Sequence, residues 1–277
     1  MGLRPEAGET QSCGPHFHGI VEQQWCAAGL RFSESVYAPA TIVSQHTHLH
    51  PYFSILLDGS YRETYRGGTR ECQPATVLLH PAGEVHEDRF LGRGGRVFRF
   101  EIVDNRSLLH AVSQLSATPD LHTGKLRCFA ARLYRECRSR DDFSPLVAES
   151  LALEIIGDAA RDGTLRNQSG IPRWFAHATD LLHEALPEGL TVARIARIVG
   201  VHPVHLARVF RRRYGCSIGE YARNWRVEVA SYQLATTTRP VAEVAAIVGF
   251  ADQSHLCRTF KAVSGLTPNE FRAIFRR

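Results

Sequence analysis

The apolar positions of this chain change period along its length. From about Ile20 to Val103 they fall in short or alternating runs broken by Gly, Asp and Pro. Such runs are Phe32–Tyr37, Ala40–Ser44, Tyr52–Leu57, Tyr61–Tyr65, Thr76–Leu79 and Arg96–Val103. A period near two predicts strands. Asp58-Gly59 and Gly67-Gly68 lie between runs, where hairpin turns are expected. Many short strands at this spacing predict a small barrel or sandwich. From Ser107 to Asp162 the period becomes helical: Leu108, Leu109, Val112 and Leu115 share a face, as do Leu126, Phe129, Ala130 and Leu133. Leu146, Val147, Leu151, Leu153 and Ile156 continue the pattern. Two or three helices are expected, with apolar faces that pack on the barrel or form a dimer interface. Residues 163–172 are polar and turn-rich and read as a linker. Residues 1–17 read as disordered.

The rest of the chain repeats itself. His205, Leu206, Arg208, Phe210 and Gly215 recur fifty positions later as His255, Leu256, Arg258, Phe260 and Gly265. Upstream, Ala196 and Gly200 match Ala245 and Gly249 at forty-nine, so the second copy has one extra turn residue. Each copy reads as a short helix with a small residue at its centre, a Gly turn, and a second helix. Thr191 and Asp252 are expected N-caps, and Pro203 suits the first turn of its helix. Ser217-Ile-Gly-Glu220 and Thr267-Pro-Asn-Glu270 are capping boxes. A helix at Trp174–Leu186 precedes the first copy, and a long helix from Ser217 to about Ala235 joins the two. These are two helix-turn-helix units.

Charge sharpens that reading. From Arg173 onward there are 15 Lys and Arg against 8 Asp and Glu, a net of +7, which leaves −2 for the first 172 residues. The basic excess therefore sits with the repeat and points to a polyanion. A helix-turn-helix sets its second helix in the major groove, N-terminal residues first. The outward residues of the first such helix are His202, Val204, Ala207, Arg208, Arg211 and Arg212; those of the second are Gln253, Ser254, Cys257, Arg258 and Lys261. Arg reads guanine and Gln reads adenine, whereas Val204 and Ala207 can only meet a thymine methyl. His205 and His255 suit either a helix–turn contact or a phosphate. The seven Cys form no C-x-x-C pair, and no apolar run approaches the ~20 residues that span a bilayer. Reduced thiols in a cytoplasm and no membrane are expected.

Two further stretches carry candidate chemistry. His46-Thr-His48-Leu-His50-Pro-Tyr52 runs on to Gly59, and Pro81-Ala-Gly83-Glu-Val-His86 follows. Together they resemble the two cupin motifs, which places His46, His48 and His86 at metal-ligand positions and Tyr52 where the motif has Glu. Tyr, with a pKa of ~10, does not readily replace a carboxylate. His46 and His48 are two apart, so on a strand both face one side. The set suits a metal-free effector pocket lined by His46, His48, Tyr52 and His86, with a divalent metal as the alternative. His50 and His80 lie off the motif and could be surface residues. An enzyme is the competing class, with the missing Glu and the lack of an acid/base pair against it.

Residues 174–277 resemble the DNA-binding domain of the AraC/XylS family of bacterial transcription regulators. The resemblance rests on Ala196-x(3)-Gly200, His205-Leu206-x-Arg208-x-Phe210, Gln253-Ser254-His255-Leu256-x-Arg258-x-Phe260-Lys261 and Gly265-x-Thr267-Pro268-x-Glu270-Phe271-Arg272. The stretch before it resembles that family's cupin sensor. The expected fold is therefore multidomain α and β. A cupin-like β-barrel at 18–105 is followed by helices at 106–162, the linker, and an all-α domain at 173–277 of two helix-turn-helix units joined by a long helix. The resemblance implies a homodimeric, non-enzymatic, cytoplasmic regulator. Its partners would be double-stranded promoter DNA, RNA polymerase and a small-molecule effector.

Overall fold

The computed structural model describes residues 18–113, 124–139, 141–167, 172–184 and 190–275. The expected disordered stretch 1–17 lies outside them. Seven strands come first: β1 (Ile20–Ala27), β2 (Leu30–Tyr37), β3 (Ile42–His46), β4 (Tyr52–Tyr65), β5 (Gly68–Cys72), β6 (Val77–His80) and β7 (His86–Ile102). All pairings are antiparallel. The two long strands, β4 and β7, pair with each other twice. The first half of β4 and the second half of β7 lie between β6 and β2, with β1 beyond. Their other halves lie between β5 and β3. Bending two long strands in this way closes one chain into two facing sheets, a cupin-like barrel.

The bend falls where a hairpin was expected. Asp58-Gly59 is not a turn: β4 runs through it, with register shifts at Leu56/Asp58 and Gly59/Tyr61. Gly59 has φ +83, and a Cβ there would sit 1.9 Å from the Gly94 carbonyl oxygen. The crossing backbone of β7, not a turn, is what requires Gly here. Gly67-Gly68 does lie at the β4–β5 turn, as expected.

The outer face of the β2–β7–β4–β6 sheet carries Phe32, Phe98, Phe100, Phe53, Ile55, Val77 and Leu79, all buried. Phe53 and Phe100 stack at 4.7 Å. Full burial stabilises each such ring by about 1.5–3 kcal/mol. The helices α1 (Arg106–Ser113), α2 (Gly124–Ser139) and α3 (Ser144–Asn167) share the same core cluster. Hence these helices pack on the barrel. α3 runs on to Asn167, into the stretch expected as linker. One Gly in a helix costs only about 1 kcal/mol against Ala, and no Pro interrupts 163–167. Residues 168–171 lie outside the described set.

The remaining helices are α4 (Arg173–Glu184), α5 (Val192–Ile198), α6 (Pro203–Tyr214), α7 (Ile218–Thr236), α8 (Val241–Ile247), α9 (Gln253–Ser264) and α10 (Pro268–Ile274). Their cores are not one. Phe175, Ala178, Ile195, Ala196, Leu206 and Phe210 form a cluster of their own. Val227, Leu234, Val244, Leu256, Phe260 and Phe271 instead belong to the cluster that also holds α2 and the barrel's outer face. α2 packs against α3 on one side and against α7, α9 and α10 on another. The contact is polar as well: Arg127 lies 5.6 Å over the Tyr232 ring, Tyr232 Oη donates to Gln73 Oε1 at 3.1 Å, and Arg135 lies 3.8 Å from Glu270.

Gly59→Ala puts a methyl group into the Gly94 carbonyl and strains φ, so a loss of at least about 1–3 kcal/mol in urea unfolding is expected. Wild-type stability in that variant would contradict the bend as described.

Candidate DNA interface and barrel site

The two helix-turn-helix units are built alike. In each, a short helix ends at a Gly in the left-handed region, Gly200 at φ 72 and Gly249 at φ 78. Val201 N donates to Ala196 O and Phe250 N to Ala245 O, both at 2.9 Å. Ala196 and Ala245 are buried, which lets the second helix approach. Leu206 and Phe210 in one unit, Leu256 and Phe260 in the other, are fully buried anchors. Thr191 caps α5, Asp252 caps α9, and both capping boxes form. α6 is capped by His202, whose Nδ1 accepts from Val204 N at 3.3 Å, a role its sequence position did not suggest.

The helix faces follow from these anchors. Val204, His205, Ala207, Arg208, Arg211 and Arg212 of α6 are exposed, with His202 at its start. Gln253, Ser254, His255, Arg258 and Lys261 of α9 are exposed too, while Cys257 is half-buried. Both His rings have aromatic neighbours: His205 lies 5.4 Å from Trp174 and His255 lies edge-on 5.0 Å from Phe250. Each therefore has a packing role at the edge of its unit.

The barrel interior is the second site. His46 and His86 are partners across β3 and β7. His48 is not on a strand; β3 ends at His46, and the extended chain that follows carries His48 back to the group. The ligand atoms of His46, His48 and His86 lie within 4.8 Å of one another. His86 Nδ1 lies 3.3 Å from the Glu84 carbonyl, to which it donates, so its Nε2 accepts from Tyr52 Oη at 3.1 Å. Tyr52 thus holds the place of the motif's carboxylate by bonding to a histidine. Both ring nitrogens of His86 are in use, and an ion would have to displace the Tyr52 hydroxyl. His46 donates through Nδ1 to Ser44 O at 2.9 Å, leaving Nε2 with its lone pair.

His80 is not a surface residue. It is 2% exposed, stacks on Tyr52 at 4.3 Å, shares a hydrogen bond with Ser54 Oγ at 3.2 Å and lies 3.6 Å from Glu63. Around it the sheet register brings polar side chains together in rows. Arg31, Glu101, Tyr52 and His80 form one row across β2, β7, β4 and β6; Ser33, Arg99 and Ser54 form the next. Arg31 donates to Glu101 at 2.7 Å, Arg99 to Tyr37 Oη at 2.8 Å, and Arg70 makes two bonds to Glu63. The motif reading missed these residues. Their signal was the alternation Arg31-Phe32-Ser33 and Phe98-Arg99-Phe100-Glu101, which puts rings outside and polar groups inside.

Burial sets the charge state of the interior. It pushes His48 down to about 3 and His86 down to about 4, with neighbouring histidines adding to the effect. It also lowers His46 and His80, and it raises Asp88 to about 7. The barrel interior is therefore lined by neutral imidazoles near pH 7. A histidine depressed in the folded state leaves the unfolded chain binding more protons below pH ~6.5, so stability falls on acidification. Asp88, raised, works the opposite way between about 4 and 7. Urea midpoints are expected to fall from pH 6.5 toward pH 4, and to fall more steeply in Asp88→Asn. A flat profile in both proteins would contradict buried neutral histidines.

Comparison with known proteins places this architecture. Residues 195–274 match the family model described as a helix-turn-helix domain. The arabinose operon regulatory protein of Salmonella typhimurium is 38% identical over 216 residues, 73% of this chain and 76% of that protein. Its Escherichia coli counterpart is 38% identical over 217 residues, 73% of each. A solved AraC-type regulator from Chromobacterium violaceum aligns with 38% of this chain and 93% of its own at 26% identity and a TM-score of 0.36. Two tandem helix-turn-helix units behind a cupin-like barrel, joined to that identity over most of both chains, identify the protein: it belongs to the AraC/XylS family of DNA-binding transcription regulators.

Proposed function

We propose that the barrel interior binds a small, neutral, polyhydroxylated effector, and that its occupancy changes DNA binding through α2. The observation that carries this is the shared core: the barrel's outer face, α2 and the second helix-turn-helix unit form one apolar cluster. A hub reinforces it. Glu34, 1% exposed on β2, accepts from Tyr134 Oη of α2 at 3.2 Å and from Arg96 at 3.3 Å, with Arg138 of α2 at 3.7 Å. Its strand neighbour Ser33 lines the interior, so a ligand that moves β2 moves the hub. Donors and acceptors such as Arg31, Glu101, Ser33, Ser54 and His80 suit hydroxyl groups, in keeping with the arabinose regulators. No catalysis is part of this reading.

α6 and α9 are the DNA-reading helices in this proposal. His202, Arg208, Arg211, Arg212, Arg258 and Lys261 would serve phosphate and guanine, and Gln253 and Ser254 base edges. With its reading helices some way apart on one rigid α7, the chain would reach successive major grooves, about 34 Å apart. Exposed Phe143, Leu146 and Leu153 around α3 suit a homodimer contact. Among the described residues no helix is long and apolar enough to cross a membrane, and action on promoter DNA beside RNA polymerase in the cytoplasm fits.

The test uses a duplex selected from a random pool and a panel of pentoses and hexoses that starts with arabinose. A sugar that binds should change wild-type DNA affinity by the fivefold or more usual for coupled sites. Tyr134→Phe, which keeps the ring and loses the hub bond, should still bind that sugar while the DNA response shrinks. Undiminished coupling in Tyr134→Phe would remove α2 from the account.

A divalent metal at His46, His48 and His86 is the second reading, favoured by their mutual approach. Three neutral imidazoles would hold it, supplying a fixed charge for a hydroxyl ligand. Elemental analysis of freshly purified protein decides. A stoichiometric ion absent from His46→Ala/His86→Ala supports it, and a metal-free wild type rejects it.

A further inference from the structure

The two reading helices place different chemistry at equivalent positions. In α6, Val204, Ala207, Arg208 and Arg211 fall at i, i+3, i+4 and i+7 and form one exposed face. Fifty residues on, α9 presents Ser254, Cys257, Arg258 and Lys261. Val204 is 58% exposed although the neighbouring Leu206 and Val209 turn inward or half inward. It lies in the first turn of its helix, the part that leads into the groove. Four arginines occupy the rest of the same helix, Arg208, Arg211, Arg212 and Arg213.

An isopropyl group makes no hydrogen bond, so a polar base edge gains nothing from it. The apolar group that the major groove offers is the C5-methyl of thymine. The surrounding positive charge favours a phosphate-bearing surface over an apolar protein partner. We infer that Val204, flanked by Ala207, is a specificity residue that reads thymine by its methyl group in the first unit's half-site. The second unit reads base edges through Gln253 and Ser254 and is indifferent to that methyl. This rests on α6 and α9 being the reading helices.

The experiment takes full-length protein and the preferred duplex from a random pool. Loss of footprint in Arg208→Ala and in Arg258→Ala assigns each half-site to its unit. Each thymine is then replaced by deoxyuridine, which removes only the methyl. At one or two thymines of the first half-site, wild-type affinity should fall about three- to fivefold, the scale of one buried carbon. Val204→Ser should bind thymine and uracil duplexes equally, and uracil in the second half-site should leave affinity unchanged. Uracil without effect in the first half-site, or with equal effect in Val204→Ser, overturns the inference while leaving DNA reading intact. A pool that yields no preferred duplex would instead overturn the assignment of the reading helices, and the inference with it.

Discussion

The packing of α2 is the constraint on which the rest of the molecule depends. Leu126, Cys128, Ala130, Ala131, Leu133, Tyr134 and Cys137 are all buried, and only Arg135, Arg138 and Ser139 of its described side chains are exposed. One side lies in the core that includes the aromatic outer face of the barrel, and another packs on α7, α9 and α10. Both helices bury small residues, Cys128 and Ala131 on α2 and Ser231 and Ala235 on α7. Small side chains let two helices approach closely and give the contact little slack. The second helix-turn-helix unit is thereby part of the sensor's core. The first unit, with α4, keeps a separate core and is joined to the second through α7.

That arrangement gives the barrel's two faces different tasks. Outward, rings bind the sheet to the helices. Inward, the same strands carry Arg31, Arg99, Glu101, Ser54 and His80, held by an ion pair and hydrogen bonds, with Ser33 beside them. Burying so many polar groups costs stability unless each finds a partner. A barrel meant only to be stable would fill this space with apolar side chains, as it does around Val43, Leu56, Leu78, Phe90 and Val97. The polar rows are where a ligand's hydroxyl groups would find complementary partners.

Much of this was legible in the chain. The repeat gave the helix-turn-helix units with their caps and turn glycines, because caps and αL turns are written in local residue types. The three histidines were legible from the resemblance to the cupin motifs, although His48 reaches the group from a loop. What local pattern could not show was tertiary. Asp58-Gly59 has turn composition, yet the backbone of β7 crossing at Gly94 makes it a bend within one strand. His80 carries no sign of burial until β6 is paired with β4. The role of α2 was hidden for the same reason, since its sequence reads as an ordinary amphipathic helix while both partners lie far away in the chain.

The most direct test of this account is hydrogen exchange of the full-length protein, resolved by segment. If α2 ties the second unit into the sensor core, α7 to α10 should share the slow exchange of α2 and of the β4–β7 pair, while α4 to α6 open earlier as a separate unit. Exchange of α7 to α10 together with α4 to α6, well ahead of α2 and the barrel, would contradict it.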